Sequence, residues 1–216
     1  MKNPSQAIPM SGTTTAANRY RAVHFLDSVN AFSQLPPDIG REVAFAGRSN
    51  AGKSSALNVL TGQRQLARVS KTPGRTQLLN FFAVEPERYL VDLPGYGYAR
   101  VPDAVRRHWQ ALLERYLRER VALRGLLLLM DIRHPLTTMD RQILETCAHR
   151  QLPVHVLLTK ADKLSRGAAQ TVLRQSQATL RTDYPRASAQ LFSALNGQGV
   201  AEVHIRLDEW LEYPVT

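Results

Sequence analysis

The 216-residue chain contains a single cysteine, Cys147, and only five lysines. One thiol excludes an intrachain disulfide and any zinc site built on cysteine pairs, and it fits a reducing compartment. No apolar run approaches the roughly eighteen residues a membrane-crossing helix needs, and the opening Met1-Lys2-Asn3-Pro4-Ser5 lacks the apolar centre of a secretion signal. A cytoplasmic protein with no membrane span is expected. No segment repeats. What the chain does have is positive charge. Lys plus Arg is 28 against 18 Asp plus Glu, a net +10. With lysine scarce the excess is arginine, whose planar fork binds phosphate in two-pronged fashion and stacks on bases. Such a field favours nucleic acid or another polyanion as partner. From Arg100 to Arg124 there are seven Arg (100, 106, 107, 115, 118, 120, 124) against Asp103, Glu114 and Glu119.

The length suits one α/β domain with short extensions. Residues 1–20 are rich in Ser, Thr, Ala and Pro and predict a disordered tail. Residues 21–40 predict an extension packing on the domain, with an edge strand near 21–26 and Phe32 and Leu35 beneath it; residues 41–213 predict the domain itself. Strands are expected at 42–46, 78–84, 89–93, 123–130, 153–158 and 189–193, and helices at about 53–61, 103–120, 138–150, 166–183 and 200–211. The Glu85-Pro86-Glu87-Arg88 turn pairs the second and third strands as a hairpin. Gln63 to Gln77 reads as a mobile loop, and Cys147 as a small core residue rather than a nucleophile. The fold class is α/β: a doubly wound, mainly parallel sheet with one antiparallel edge strand, of the P-loop NTPase kind, with functional loops at the carboxyl ends of the strands.

The chemistry is concentrated in Gly47-Arg48-Ser49-Asn50-Ala51-Gly52-Lys53-Ser54, which satisfies G-x-x-x-x-G-K-[ST] directly after a strand. Backbone N–H groups in such a loop wrap a polyphosphate, and the two glycines allow positive φ and close approach. Lys53 would pair with the β and γ phosphates, Ser54 would offer its hydroxyl to Mg²⁺, and the helix starting here aims its positive end at the anion. Asp92-Leu93-Pro94-Gly95 ends a strand, so Asp92 can hold the metal through its water shell while the Gly95 amide meets the γ-phosphate. Thr159-Lys160-Ala161-Asp162 supplies base selection. The Asp162 carboxylate accepts from the ring N–H and exocyclic amine of guanine, and Lys160 lays its stem across the purine. Ser193-Ala194-Leu195, at the end of the last strand, would place backbone N–H groups near the guanine carbonyl, with Phe192, Ser193 and Ala194 counted among the nucleotide-binding candidates. On the arginine-rich loop, Gly74-Arg75-Thr76-Gln77-Leu78 offers Thr76 to complete Mg²⁺ coordination with Ser54, with Thr72 as its rival.

Taken in order, these stretches resemble the translation-factor-related, TrmE/Era-like GTPases, and more closely the EngB (YihA/YsxC) family of bacterial ribosome-assembly GTPases. The words that carry the resemblance are Gly47 to Ser55, Lys71-Thr72-Pro73-Gly74-Arg75-Thr76-Gln77, Asp92-Leu93-Pro94-Gly95-Tyr96-Gly97-Tyr98-Ala99 and Thr159 to Asp162. It spans about residues 22 to 212 and implies a Ras-like G domain binding GTP or GDP with Mg²⁺. It also implies docking on the large ribosomal subunit and its rRNA, and a role in cell division and septation. By resemblance Thr76 is the first-switch threonine and Asn50 the phosphate-loop asparagine that in related GTPases ligates K⁺; Lys53, Thr76 and Asn50 are the candidate catalytic set. Tyr96 stands where many regulatory GTPases carry a water-orienting glutamine, so slow hydrolysis is expected. Thr159 stands where asparagine is commoner, which weakens one supporting hydrogen bond. A monomer is expected. The competing readings are a septum-associated switch binding division proteins, or a small-molecule kinase using the same loop.

Overall fold

The computed structural model describes residues 16–67, 78–97 and 103–214, leaving aside the side chains of 16–18, 103 and 106. The elements in order are α1 (Ala16–Arg21), β1 (His24–Val29), a 3₁₀ turn at Phe32–Gln34, β2 (Arg41–Gly47), α2 (Lys53–Leu60), β3 (Leu79–Glu85), β4 (Arg88–Asp92) and α3 (Asp103–Glu119). They continue as β5 (Leu123–Asp131), α4 (Thr138–His149), β6 (Val154–Thr159), a 3₁₀ turn at Ala161–Lys163, α5 (Arg166–Asp183), β7 (Ala187–Leu191) and α6 (Val200–Trp210).

Apolar runs such as Leu126-Leu127-Leu128-Leu129-Met130 suit a strand covered on both faces, and alternate residues indeed enter two cores. Ala44, Ala46, Leu126, Leu128 and Met130 face α3, α4 and α5. Val43, Phe45, Leu127 and Leu129 face α1, α2 and α6. The seven strands lie in the order β1-β3-β4-β2-β5-β6-β7. Strands β2, β4, β5, β6 and β7 run parallel, and β3 is antiparallel to both neighbours. The one antiparallel strand is therefore second from the edge, because β1 covers it. The 3₁₀ turn brings Phe32 and Leu35 against the α3 side of the core. Cys147 is a buried core residue, its thiol pushed up to about 12 by burial.

At the amino ends of the strands, the wholly buried Glu42 accepts from Tyr116 Oη at 2.7 Å and from Arg120 Nε at 3.0 Å, while Arg120 also donates to the carbonyls of Pro36 and Pro37. This pair closes one end of the sheet and leaves the carboxyl ends open to loops.

The 1–20 tail extends too far in the sequence reading. Ala16–Arg21 is helical and Tyr20 is fully buried; its ring stacks on His204 at 4.8 Å and its hydroxyl donates to Asp208 at 2.7 Å. One aromatic in an otherwise small and polar stretch suffices to dock a short helix. Of the stretch 63–77 expected as a mobile loop, residues 63–67 are held by side-chain hydrogen bonds, and 68–77 lie outside the described residues. Among the described residues no helix is long and apolar enough to cross a membrane, and no group of His, Cys, Asp and Glu has the makings of a metal cluster.

Candidate nucleotide-binding site

β2 ends at Gly47, a position that only glycine fits closely, because a Cβ here would sit 2.8 Å from the Leu129 carbonyl. The loop reverses through two left-handed residues, Asn50 (φ 63°) and Gly52 (φ 96°). Asparagine is among the few side chains that tolerate that region. Within the loop the Ser49 amide donates to the Tyr96 carbonyl at 2.9 Å and the Ala51 amide to the Arg48 carbonyl at 2.9 Å. The candidate phosphate donors are thus the amides of Asn50, Gly52, Lys53 and Ser54, the last two in the first turn of α2, where helical N–H groups lack internal partners.

Lys53 Nζ pairs with the Asp92 carboxylate, both side chains being nearly buried. Separating two such charges is costly unless each meets a new partner. A magnesium nucleotide offers both at once, phosphate to Lys53 and the metal's water shell to Asp92. The donor set beside Lys53, the Ser54 hydroxyl and the Asp92 carboxylate, is made of hard oxygens and fits Mg²⁺. Gly74, Arg75, Thr76 and Gln77 lie outside the described residues, as do Thr72, Tyr98 and Ala99; Leu78 is partly buried ahead of β3. Leu93 and Pro94 are buried, Leu93 donating its amide to the Phe45 carbonyl at 3.0 Å, so both position Gly95 rather than face a ligand.

Gly95 leads into an isolated parallel bridge between Arg48 and Tyr96. The Tyr96 side chain turns inward, 9% exposed, and donates to Asp140 Oδ1 at 2.7 Å. Asp140, 1% exposed, also accepts from the amide and hydroxyl of Thr137 at 2.8 and 2.7 Å, capping α4. Burial and then the Asp140 charge hold the Tyr96 phenol well above its ordinary pKa. It stays a neutral donor.

The base-selecting word follows β6. The Thr159 hydroxyl lies 2.6 Å from the Ala51 carbonyl and 3.1 Å from that of Met130. The short contact means that the expected weakening does not fall on the phosphate loop. Lys160, left-handed at φ 59°, donates Nζ to the Asn50 carbonyl at 2.8 Å and pairs with Asp131 at 3.0 Å. Asp131 is a residue that sequence reasoning missed. It ends β5 beside Thr159 in register and is held well below the usual carboxylate range, first by Arg133 and then by Lys160. A charged residue closing an apolar strand next to the Thr159-Lys160 word was the signal available.

Asp162 accepts from Ser193 Oγ at 2.6 Å, which lowers its pKa and fixes its orientation. The Ser193 amide donates to the Gln198 carbonyl and the Leu195 amide to Ser193 Oγ, so a contact to a guanine carbonyl rests on Ala194. Phe192 is 1% exposed in the α2/α6 core and does not face the site with its ring; its carbonyl accepts from the Ala161 amide. Ala161 likewise is buried.

The arginine-rich helix is less free than its sequence suggests. Arg120 is buried on Glu42; Arg115 pairs with Glu119 and lies over the Phe32 ring at 3.9 Å; Arg118 pairs with Glu114. Arg107 is exposed near the start of α3. Arg100 and the Arg106 side chain lie outside what is described.

The family pattern for 50S ribosome-binding GTPases matches residues 42–160. The probable GTP-binding protein EngB of Nitrosococcus oceani is 56% identical over 89% of this chain and 96% of its own length. That of Methylococcus capsulatus is 54% identical over 89% of this chain and 92% of its own. Among solved structures, a probable GTP-binding protein engB superposes with a TM-score of 0.65 at 20% identity, covering 80% of this chain and all of that one. Era, in complex with MgGDPNP and nucleotides 1506–1542 of 16S ribosomal RNA, superposes at 0.61 with 24% identity, covering 82% of this chain and 58% of Era. These two likenesses speak to the fold.

Proposed function

Since the chain belongs to the EngB family of GTP-binding proteins, we propose that it is a slow GTPase switch that assists large ribosomal subunit assembly and, through it, normal cell division and septation. The domain is taken as residues 41–213, with 21–40 as an extension on its surface. The observation that carries the reading is the tie between the base word and the phosphate loop: Thr159 to the Ala51 carbonyl and Lys160 to the Asn50 carbonyl. It sets a guanine-reading carboxylate, Asp162, at a fixed reach from a phosphate cradle.

In this reading Asp162 accepts from the two guanine N–H groups, Ser193 orients it, and the Lys160 stem flanks the ring. The amides of Asn50, Gly52, Lys53 and Ser54 bind phosphate oxygens, and Lys53 exchanges Asp92 for the β and γ phosphates. Ser54 and Thr76 would hold Mg²⁺, and Asp92 would hold it through its water shell. The bound Mg²⁺ supplies charge neutralisation at the phosphates. Tyr96 is turned to Asp140 and does not orient water, which supports a low intrinsic rate. Asn50 is the candidate ligand for K⁺, whose charge beside the phosphates would stand in for the missing side chain.

The partner reading rests on the net charge and on Arg106 and Arg107 near the start of α3, which follows the Asp92-Leu93-Pro94-Gly95 word in the chain. The test is co-sedimentation with large ribosomal subunits in a GTP analogue, in GDP and without nucleotide, across a salt series. Binding is expected with the analogue only. The double reversal Arg106→Glu, Arg107→Glu is expected to weaken it and flatten its salt dependence while GTP affinity holds. Equal binding in all nucleotide states would refute the switch.

A further inference from the structure

We propose that a cavity at the amino ends of β5, β6 and β7 is a second binding site, which takes one nucleotide unit of a single-stranded RNA whatever the state of the GTP site. The cavity measures about 350 Å³, and Arg124, Arg186 and Arg206 line it together with Ser188, Glu209 and Trp210. Arg124 lies at the start of β5 and Arg186 just before β7, whereas the phosphate loop and the Asp162 word follow the carboxyl ends of β2 and β6. The nine residues of β5 span the gap, so the two sites lie roughly 25 Å apart.

The wall is built on a glycine. A Cβ on Gly125 would stand 2.3 Å from the Trp210 ring, so only glycine lets the indole lie against the strand. Charge around the cavity is uneven. Arg206 pairs with Glu209 at 2.5 Å, and Glu212 is tied to Arg41, with Arg124 acting on it only at longer range. Among the described residues neither Arg124 nor Arg186 forms a salt bridge; Arg186 donates to the Gln151 carbonyl at 3.1 Å. Two guanidinium groups are thus left for an anion, and each fork can take a phosphate with two hydrogen bonds.

A chain of hydrogen bonds supplies a sugar contact. Gln190 donates Nε2 to the Gly199 carbonyl at 2.8 Å, so its Oε1 faces His155 and accepts from the ring Nε2 at 2.8 Å. Burial keeps the imidazole neutral, and its Nδ1 therefore accepts from the Ser188 hydroxyl at 2.7 Å. Ser188 has given its proton inward and offers a lone pair to the cavity. That acceptor suits a ribose 2′-hydroxyl and finds nothing on deoxyribose. Phosphate forks beside a 2′-hydroxyl acceptor name RNA, and the volume, at the small end of ligand sites, admits one nucleotide unit and not a double helix.

The inference goes beyond the subunit docking proposed above and makes no use of α3. The experiment follows Trp210 emission in a Trp109→Phe chain saturated with GDP while a short oligouridylate is added, then the matching oligodeoxyuridylate, then UMP. It is repeated with a GTP analogue, in the double variant Arg124→Ser, Arg186→Ser and in Ser188→Ala, with melting temperature read alongside. Oligouridylate is expected to change the emission with the same affinity in both nucleotide states. The double arginine variant should weaken it at least tenfold, and Ser188→Ala should weaken RNA about fivefold while leaving DNA unchanged. RNA binding that leaves Trp210 silent and survives the double arginine variant overturns the inference; if that binding is lost in Arg106→Glu, Arg107→Glu, the α3 reading stands without it. Equal affinity for the two oligomers in the parent chain, or UMP binding as tightly as the oligomer, also overturns the assignment to RNA.

Discussion

A hydroxyl has one proton, and at Thr159 two carbonyls are within reach of it. The distances of 2.6 and 3.1 Å give that proton to Ala51, so the departure from asparagine costs the link to Met130 and keeps the link to the phosphate loop. Thr159→Val is expected to lower stability by about 1–3 kcal/mol, the cost of unpaired buried carbonyls, read by denaturant titration. It should also weaken GDP and GTP alike. Asp162→Asn replaces an acceptor by a donor where guanine presents N–H groups, so GTP affinity should fall roughly ten- to a hundredfold and xanthosine triphosphate should gain. Equal GTP affinity in the variant would remove Asp162 from base recognition. The motif words were legible because each needs particular residue types at fixed spacing. Their supports were not. Asp131 and Asp140 lie 29 and 44 residues from the residues they brace, Lys160 and Tyr96, and no local pattern announces a contact made by the fold.

Elements were legible where apolar period was strong. The bounds of α5 agree with the sequence reading, and β5 and β6 differ by a residue or two. The last strand was displaced by two residues because Phe192, though apolar and buried, continues past the ladder to cap the core. α3 was read rightly as a helix; Arg115 and Arg118 take the i,i+4 partners Glu119 and Glu114 that the sequence offers, whereas the burial of Arg120 on Glu42, 78 residues away, is invisible to a charge count. At β6 and β7, His155 bridges Ser188 Oγ at 2.7 Å and Gln190 Oε1 at 2.8 Å. Burial lowers its pKa, against a smaller opposing effect of Gln190, with Arg206 and Glu209 the charged groups facing it. A histidine kept neutral in the fold binds fewer protons than the unfolded chain, so its contribution is complete above about pH 6.5 and declines as pH falls below that. Melting temperature should drop from pH 7.5 to 5.5, and the drop should shrink in His155→Gln. A parallel drop in both proteins would exclude this residue as its source. Tyr96→Gln is expected to leave single-turnover GTP hydrolysis no faster than wild type, because the backbone at this position is bound to the phosphate loop and its side chain is directed to Asp140. A large acceleration would overturn that reading.

At the scale of the molecule, nucleotide binding as proposed would exchange the Lys53–Asp92 pair for new partners. GDP at about a hundredfold over its Kd should add about 2.7 kcal/mol to the free energy of unfolding, seen as a higher melting temperature. The chain's early and late segments meet on the α6 face. Tyr20 and Arg19 reach Asp208, which lies 188 and 189 residues further along, and Arg88 reaches the Leu211 carbonyl at 2.8 Å. During synthesis from the amino end, the Tyr20 ring therefore exists for almost the whole of translation before its pocket does. Its docking closes one of the longest loops in the described structure and belongs among the last contacts to form. Until α6 has emerged and packed, the carbonyls of Arg21 and Val23 that receive Gln63 are held at one end only, so the nascent protein has its Gly47–Ser54 loop before the 63–67 segment is fully anchored.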